Sequence, residues 1–131
     1  MTQSLLSRKP NADKKTLILG ATTDPNRYAF LASTRLAEFG HTIINVGLSS
    51  GDVAGVPIEK SETIHRDVHT ISLYISPANQ RLLYNYILGT NPTRIIFNPG
   101  AENDELQNLA QAQGIETEYA CTLVLLGTSQ Y

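Results

Sequence analysis

A single cysteine, Cys121, stands in the 131 residues, so no intramolecular disulfide can brace this chain. Nor is there paired Cys/His spacing of the kind that holds zinc. Apolar runs are short, far below the ~20 residues of a membrane span. The segment from Met1 to Lys15 has only Leu5-Leu6 as an apolar pair, too little for the core of a signal peptide. Ten basic and twelve acidic residues leave a net charge of −2, with no dense Lys/Arg run. That balance argues against a surface built to coat nucleic acid. These absences lead us to expect a cytoplasmic protein with no membrane or nucleic-acid partner. What is present is 41% hydrophobic content, enough for one proper core. Residues 1–13 show no periodicity and are expected to form a loosely ordered lead-in, with the domain proper spanning 14–131.

Strand and helix patterns alternate from there on. Thr16-Leu-Ile-Leu19 reads as a buried strand, and Tyr28 to Phe39 as an amphipathic helix ended by Gly40. His41–Val46 predicts a second strand, followed by a loop with three glycines between 47 and 55. Val56-Pro-Ile58 is expected as a short edge segment, because proline cannot serve a central ladder. His69–Ile75 predicts a third strand and Ala78–Leu88 a helix, through the stripe Leu82, Leu83, Tyr86 and Ile87. Arg94–Phe97 predicts a fourth strand, Asn103–Gln113 a helix, and Ile115–Ala120 a fifth strand. A terminal apolar segment, Thr122–Leu126, either covers the domain's own core, the reading preferred here, or packs in a homodimer or against an unidentified protein partner. The expected fold is therefore α/β: a Rossmann-like, doubly wound, mainly parallel five-stranded sheet with helices on both faces.

In such a fold, ligands bind beyond the carboxyl ends of the strands, where strand order reverses. The first turn, Gly20-Ala-Thr-Thr-Asp-Pro-Asn-Arg27, runs from a strand into a helix, the place where nucleotide-binding domains seat phosphates. Arg27 near a helix start opposes the dipole and is better explained by a bound anion than by solvent. Two features weigh against NAD. Only one of the three fingerprint glycines is present, Gly20, and the second strand ends Asn45-Val-Gly-Leu, without a carboxylate for ribose hydroxyls.

These residues resemble a known family, the small stand-alone CoA-binding domain proteins. That family shares its Rossmann-like fold with the CoA-binding domain of the succinyl-CoA synthetase alpha subunit. The resemblance extends from Lys15 to Leu126. It rests on Lys15-Thr-Leu-Ile-Leu-Gly-Ala21, Asp24-Pro-Asn-Arg-Tyr28, Gly55-Val-Pro-Ile58, Asn98-Pro-Gly100 and Ala120-Cys-Thr-Leu123, in that order. It implies a coenzyme A or acyl-CoA ligand. Gly20, Ala21, Thr22, Thr23, Asn26 and Arg27 would hold its phosphates, with Tyr28 beside them at the helix start. Gly47, Leu48 and Ser49 would flank adenine and ribose, Ile75, Ser76 and Pro77 would line the other side, and Asn98, Pro99 and Gly100 would approach the pantetheine arm. The second-strand loop carries no cation, so the ribose phosphate is expected to rely on Arg27, serine hydroxyls and backbone donors.

Chemistry beyond binding finds little support in the remaining residues. Cys121 is expected to act as a small buried hydrophobe, with a mixed disulfide to the CoA thiol as the sharper alternative. His41, His65 and His69 fall at strand entries or in a linker, away from the ligand edge. Glu102, Asp104 and Glu105 suit the first turn of a helix. The sequence thus favours a CoA-binding module that is non-catalytic by itself and senses, buffers or delivers its ligand. Alternatives are an NAD(P)- or nucleotide-dependent Rossmann enzyme, and an interaction module with a vestigial pocket.

Overall fold

A computed structural model describes residues 13–131, and the expected lead-in lies almost wholly outside the described residues. The chain alternates β1 (Thr16–Leu19), α1 (Tyr28–Glu38), β2 (Ile43–Val46), β3 (Asp52–Val53), β4 (Val56–Glu59) and β5 (Thr70–Leu73). It continues with α2 (Pro77–Gln80), α3 (Tyr84–Thr90), β6 (Arg94–Phe97), α4 (Asp104–Ala112), β7 (Glu116–Tyr119) and α5 (Thr122–Gly127). Seven strands form one sheet in the order β3-β4-β2-β1-β5-β6-β7. All neighbours are parallel except β3, which runs antiparallel to β4. The fold class is the expected Rossmann-like α/β arrangement.

Two strands more than expected come from the segment after β2. Ala54 and Gly55 both take positive φ (53° and 79°), the geometry of a tight hairpin turn, and fold β3 back on β4. Pro57 does not prevent this, because β4 meets β2 only through Ile58 and Glu59. The helix expected over 78–88 is also interrupted. A short 3₁₀ turn, Arg81–Leu83, separates α2 from α3.

Side chains of the central strands alternate between two apolar layers, as the period of a strand requires. Leu17, Leu19, Ile71, Leu73, Ile95 and Phe97 pack with Ile87 of α3 and with Leu106 and Ala110 of α4. On the opposite face, Ile18 and Ile43 pack with Ala29 and Leu36 of α1 and with Leu126 of α5. The terminal apolar segment is therefore a helix covering its own core, and it lies against α1.

Asn45 fastens the added hairpin to this frame. The buried amide accepts from Ser33 Oγ of α1 (2.7 Å) and donates to the carbonyls of Val53 (3.2 Å) and Val56 (3.0 Å). Replacing it removes the acceptor of the Ser33 hydroxyl and a donor to each of two carbonyls. Asn45→Ala is expected to lower stability by about 2–3 kcal/mol. Urea unfolding should show a reduced midpoint with an unchanged slope, and a midpoint equal to wild type would refute this role.

Candidate functional site

Strand order reverses on either side of β1: the chain passes to β2, out to the edge strand β3 and back to β4, then crosses to β5 on the other flank. The crevice at the carboxyl ends of β1 and β5 is thus the switch point. Three chain segments meet there at backbone distance. The N–H groups of Gly20 and Ala21 both donate to Val46 O (2.8 and 2.9 Å), and Gly47 N–H donates to Glu59 O (3.0 Å). A Cβ on Gly47 would stand 2.3 Å from Ala21 O, so this position admits no side chain without displacement of the backbone. Gly20 combines a φ of +103° with a Cβ position 3.0 Å from Tyr74 O and 3.1 Å from Ile75 Cγ1. Thr23 reaches across to Gly51. Gly20–Thr23, Gly47–Gly51 and Tyr74–Ile75 are therefore brought together as one rim.

The start of α1 opens into this rim without a cap of its own. Its N-cap is Arg27, extended (φ −98°, ψ 145°), with no side-chain cap bond and no acid in the first turn. The preceding turn closes on itself, since Asp24 accepts from Asn26 N–H through its carboxylate and from Arg27 N–H through its carbonyl. Helix α4 is the opposite case. Asn103 caps it by accepting from Glu105 N–H and Leu106 N–H, and Asp104 and Glu105 occupy its first turn. Of the two helix starts, that of α1 suits an external anion and that of α4 does not. Arg27, Tyr28 and Leu48 are exposed, Tyr28 and Leu48 to 72% and 91%. Tyr28 belongs to no core and is free to wall a ligand.

The far side of the crevice is set by a buried amide. Gln80 Nε2 donates to Ile75 O (2.7 Å) and Ala101 O (2.8 Å), while its Oε1 accepts from Asn103 Nδ2 (2.8 Å). It ties the β5 loop, with exposed Ser76 and Pro77, to the β6 loop. Asn98, at the start of the β6 turn, has its side chain engaged inside the protein. Its amide is buried, donates to Ser72 Oγ and Leu73 O (both 3.0 Å), and accepts from Thr122 N–H (2.8 Å). It joins β5, β6 and the start of α5, leaving Pro99 and Gly100 as the exposed part of that turn. Gly100 N–H donates to the Glu102 carboxylate (2.9 Å), so an acid already takes the donor there.

Gln80 and Asn45, the two amides that hold these loops, were not singled out by sequence reasoning; a polar residue at a position flanked by apolar ones was the only signal. Tyr74 is a third such residue. Its hydroxyl is buried without a hydrogen-bond partner among the described residues, and Ser72 and Thr122 beside it are bonded to each other (2.7 Å). Burial pushes its pKa from 10.0 up to about 12, against a smaller opposing effect of the Ser72 and Thr122 hydroxyls. Cys121, half-buried, is the N-cap residue of α5.

The histidines take structural places. His41 packs beside the Tyr131 ring (5.1 Å between centroids) and accepts from Lys14 N–H (3.0 Å). His65 meets the Glu59 carboxylate (2.5 Å), and His69, its pKa lowered by burial and by Arg94, sits at the entry to β5. Among the described residues, no three His, Cys, Asp or Glu side chains cluster as a metal site would need. No helix among them is long and apolar enough to cross a membrane.

With this geometry in hand, the comparisons are decisive on class. The family profile described as CoA binding domain matches residues 14–127, and the chain belongs to that family. A crystal structure of an uncharacterized protein is 50% identical over 92% of this chain and 100% of that one, with a TM-score of 0.90. A Thermus thermophilus structure shares the fold at 19% identity, covering 91% of each chain, with a TM-score of 0.79. A hypothetical protein from Pyrococcus horikoshii OT3 does so at 21% identity, 90% and 82% coverage and a TM-score of 0.74. Among curated proteins, none matches the sequence.

Two outcomes are expected of the site's framework. Gly47→Ala should cost about 1–3 kcal/mol, the scale of forced overpacking, with the loss read from its thermal or urea midpoint. Unchanged stability would mean that the β1 and β2 turns are not locked together. Tyr74→Phe should be neutral or slightly stabilising at pH 7, since it removes a buried hydroxyl that lacks a partner. The raised folded pKa also sets a pH window. Stability is whole below the unfolded value of 10.0 and is lost as pH rises towards about 12. Alkaline unfolding followed by circular dichroism should therefore move to higher pH in Tyr74→Phe.

Proposed function

We propose that this protein binds coenzyme A or an acyl-CoA at the carboxyl edge of its sheet, and that it does so without carrying out chemistry itself. The observation that carries the reading is the start of α1. An uncapped helix N-terminus, with Arg27 as its N-cap and no acid in its first turn, opens at the switch point into a rim built on Gly20 and Gly47. Backbone donors, the helix dipole and a guanidinium converge there on the requirements of a diphosphate. Gly20, Ala21, Thr22, Thr23, Asn26 and Arg27 are the residues proposed to hold it. Tyr28, Gly47, Leu48 and Ser49 would flank the nucleoside, and Ile75, Ser76, Pro77, Pro99 and Gly100 the remainder of the ligand. Asn98 contributes by fixing the β6 turn. Residues 14–131 act as a single binding domain.

Two features favour CoA over NAD. The end of β2 offers no acid to the ribose hydroxyls, and Asn45 has its amide engaged inside the protein. The hydroxyls, amides and backbone donors of the rim suit a carrier or sensor better than an acid–base catalyst. Calorimetric titration with CoA, acetyl-CoA and NAD tests the reading. Binding of CoA or acetyl-CoA with NAD silent is the expected result, and silence from all three would overturn it in favour of a protein-binding module. Arg27→Ala should weaken CoA binding by about 1.5–3 kcal/mol, as loss of a charge-assisted contact does. An unchanged affinity would remove Arg27 from the site.

A further inference from the structure

The ligand edge carries both signs of charge, with Asp24 after β1, Asp52 in β3 and Glu59 at the end of β4. Arg27 stands after β1 and Lys60 directly after β4, whereas Glu102, Asp104 and Glu105 gather after β6. Lys60 is exposed, yet its ammonium is not adrift: it donates to Leu48 O at 3.0 Å. That bond draws it over the loop that follows β2, residues 47–51, which carries no charged residue. An ammonium has three N–H donors, and Leu48 takes one, which leaves Lys60 able to bind an anion without giving up its anchor. Nearby acids are partly engaged elsewhere. The Glu59 carboxylate meets His65, and that of Asp24 accepts from Asn26 N–H, while Asp52 lies exposed at the start of β3.

The order β4-β2-β1 puts the strand before Lys60 two positions from the strand before Arg27. Two strand spacings are about 10 Å. A diphosphate seated in the β1 turn therefore leaves Lys60 to a second, separate anionic group of the same ligand. Coenzyme A has one, the phosphomonoester on its ribose, and NAD does not. We propose that Lys60 recognises the ribose 3′-phosphate of CoA and sets the preference for CoA over its dephosphorylated form. The inference rests on the CoA reading above and assigns to Lys60 the role that Arg27 and serine hydroxyls were expected to share.

The test is calorimetric titration of wild type, Lys60→Gln and Lys60→Arg with CoA and with dephospho-CoA at fixed salt. Wild type should prefer CoA. Lys60→Gln should lose about tenfold in CoA affinity, the scale of one charge-assisted contact, with dephospho-CoA binding unaltered. Lys60→Arg should keep most of the preference. The Lys60 side chain is exposed, and circular dichroism checks that each variant folds. If CoA binds but its advantage over dephospho-CoA is the same in Lys60→Gln as in wild type, the Lys60 assignment fails alone. If wild type binds neither compound, the CoA reading fails and takes the assignment with it.

Discussion

The site depends on one close approach of backbone to backbone, the packing of Gly47 against the carbonyl of Ala21. Interiors of proteins do not tolerate sub-van-der-Waals contacts, so the turn after β1 can lie this close to the turn after β2 only where a side chain is missing. The contact is reinforced from both sides. Val46 O accepts from Gly20 and Ala21 together, and Gly47 in turn donates to the end of β4. Three strand ends are thereby fixed in one rim. The position of α1 follows, because the turn that begins at Gly20 delivers the chain to Arg27 and the helix start. A looser packing here would spread the backbone donors of that helix away from the crevice, and preorganised donors are what make such a site effective for an anion.

The opposite flank is rigid for a different reason. Asn98, Gln80 and Asn103 form a set of buried or half-buried amides that link β5, β6, α2, α4 and α5. In a low-dielectric interior such bonds are strong when satisfied and costly when broken, so the set holds its loops in one arrangement. The two helix starts then differ in their needs. Helix α4 meets its own through Asn103 and two acids, whereas α1 leaves its start open. The start of α4 is thus closed by its own residues, and that of α1 is not.

Much of this was legible in the sequence, and the parts that were not share a cause. The β1 turn, the alternation of strands and helices and the burial of α5 follow from local periodicity and turn chemistry, which residues near in sequence determine. The internal bonds of Asn98 were not legible, because position alone does not say where a side chain points. Its turn is at the ligand edge, but its amide faces Ser72 and Thr122, residues 26 and 24 positions away. The β3–β4 hairpin escaped because β3 has only two residues and Pro57 argued for a frayed edge. Gln80 looked like an ordinary helix residue until the fold put Ile75 O and Ala101 O within its reach. Lys60 was missed for the same reason. The cation that serves the loop after β2 comes from beyond β4, and only parallel pairing brings the two together.

Charge along the sheet edge also gives the ligand a direction under the proposed function. Phosphates are favoured over β1, β2 and β4, where Arg27, Lys60 and the open start of α1 lie. They are disfavoured over β6, where Glu102 already takes Gly100 N–H and two further acids follow. The part of coenzyme A beyond its diphosphate is an uncharged arm ending in a thiol or thioester. Such an arm can cross towards β5 and β6 without meeting repulsion from those acids, and the half-buried Ile75 offers it an apolar contact on the way. A ligand reversed in the crevice would carry its phosphates into the acids and leave both cations to solvent. Under the proposed function, Arg27 and Lys60 favour the orientation that puts the phosphates over β1, β2 and β4.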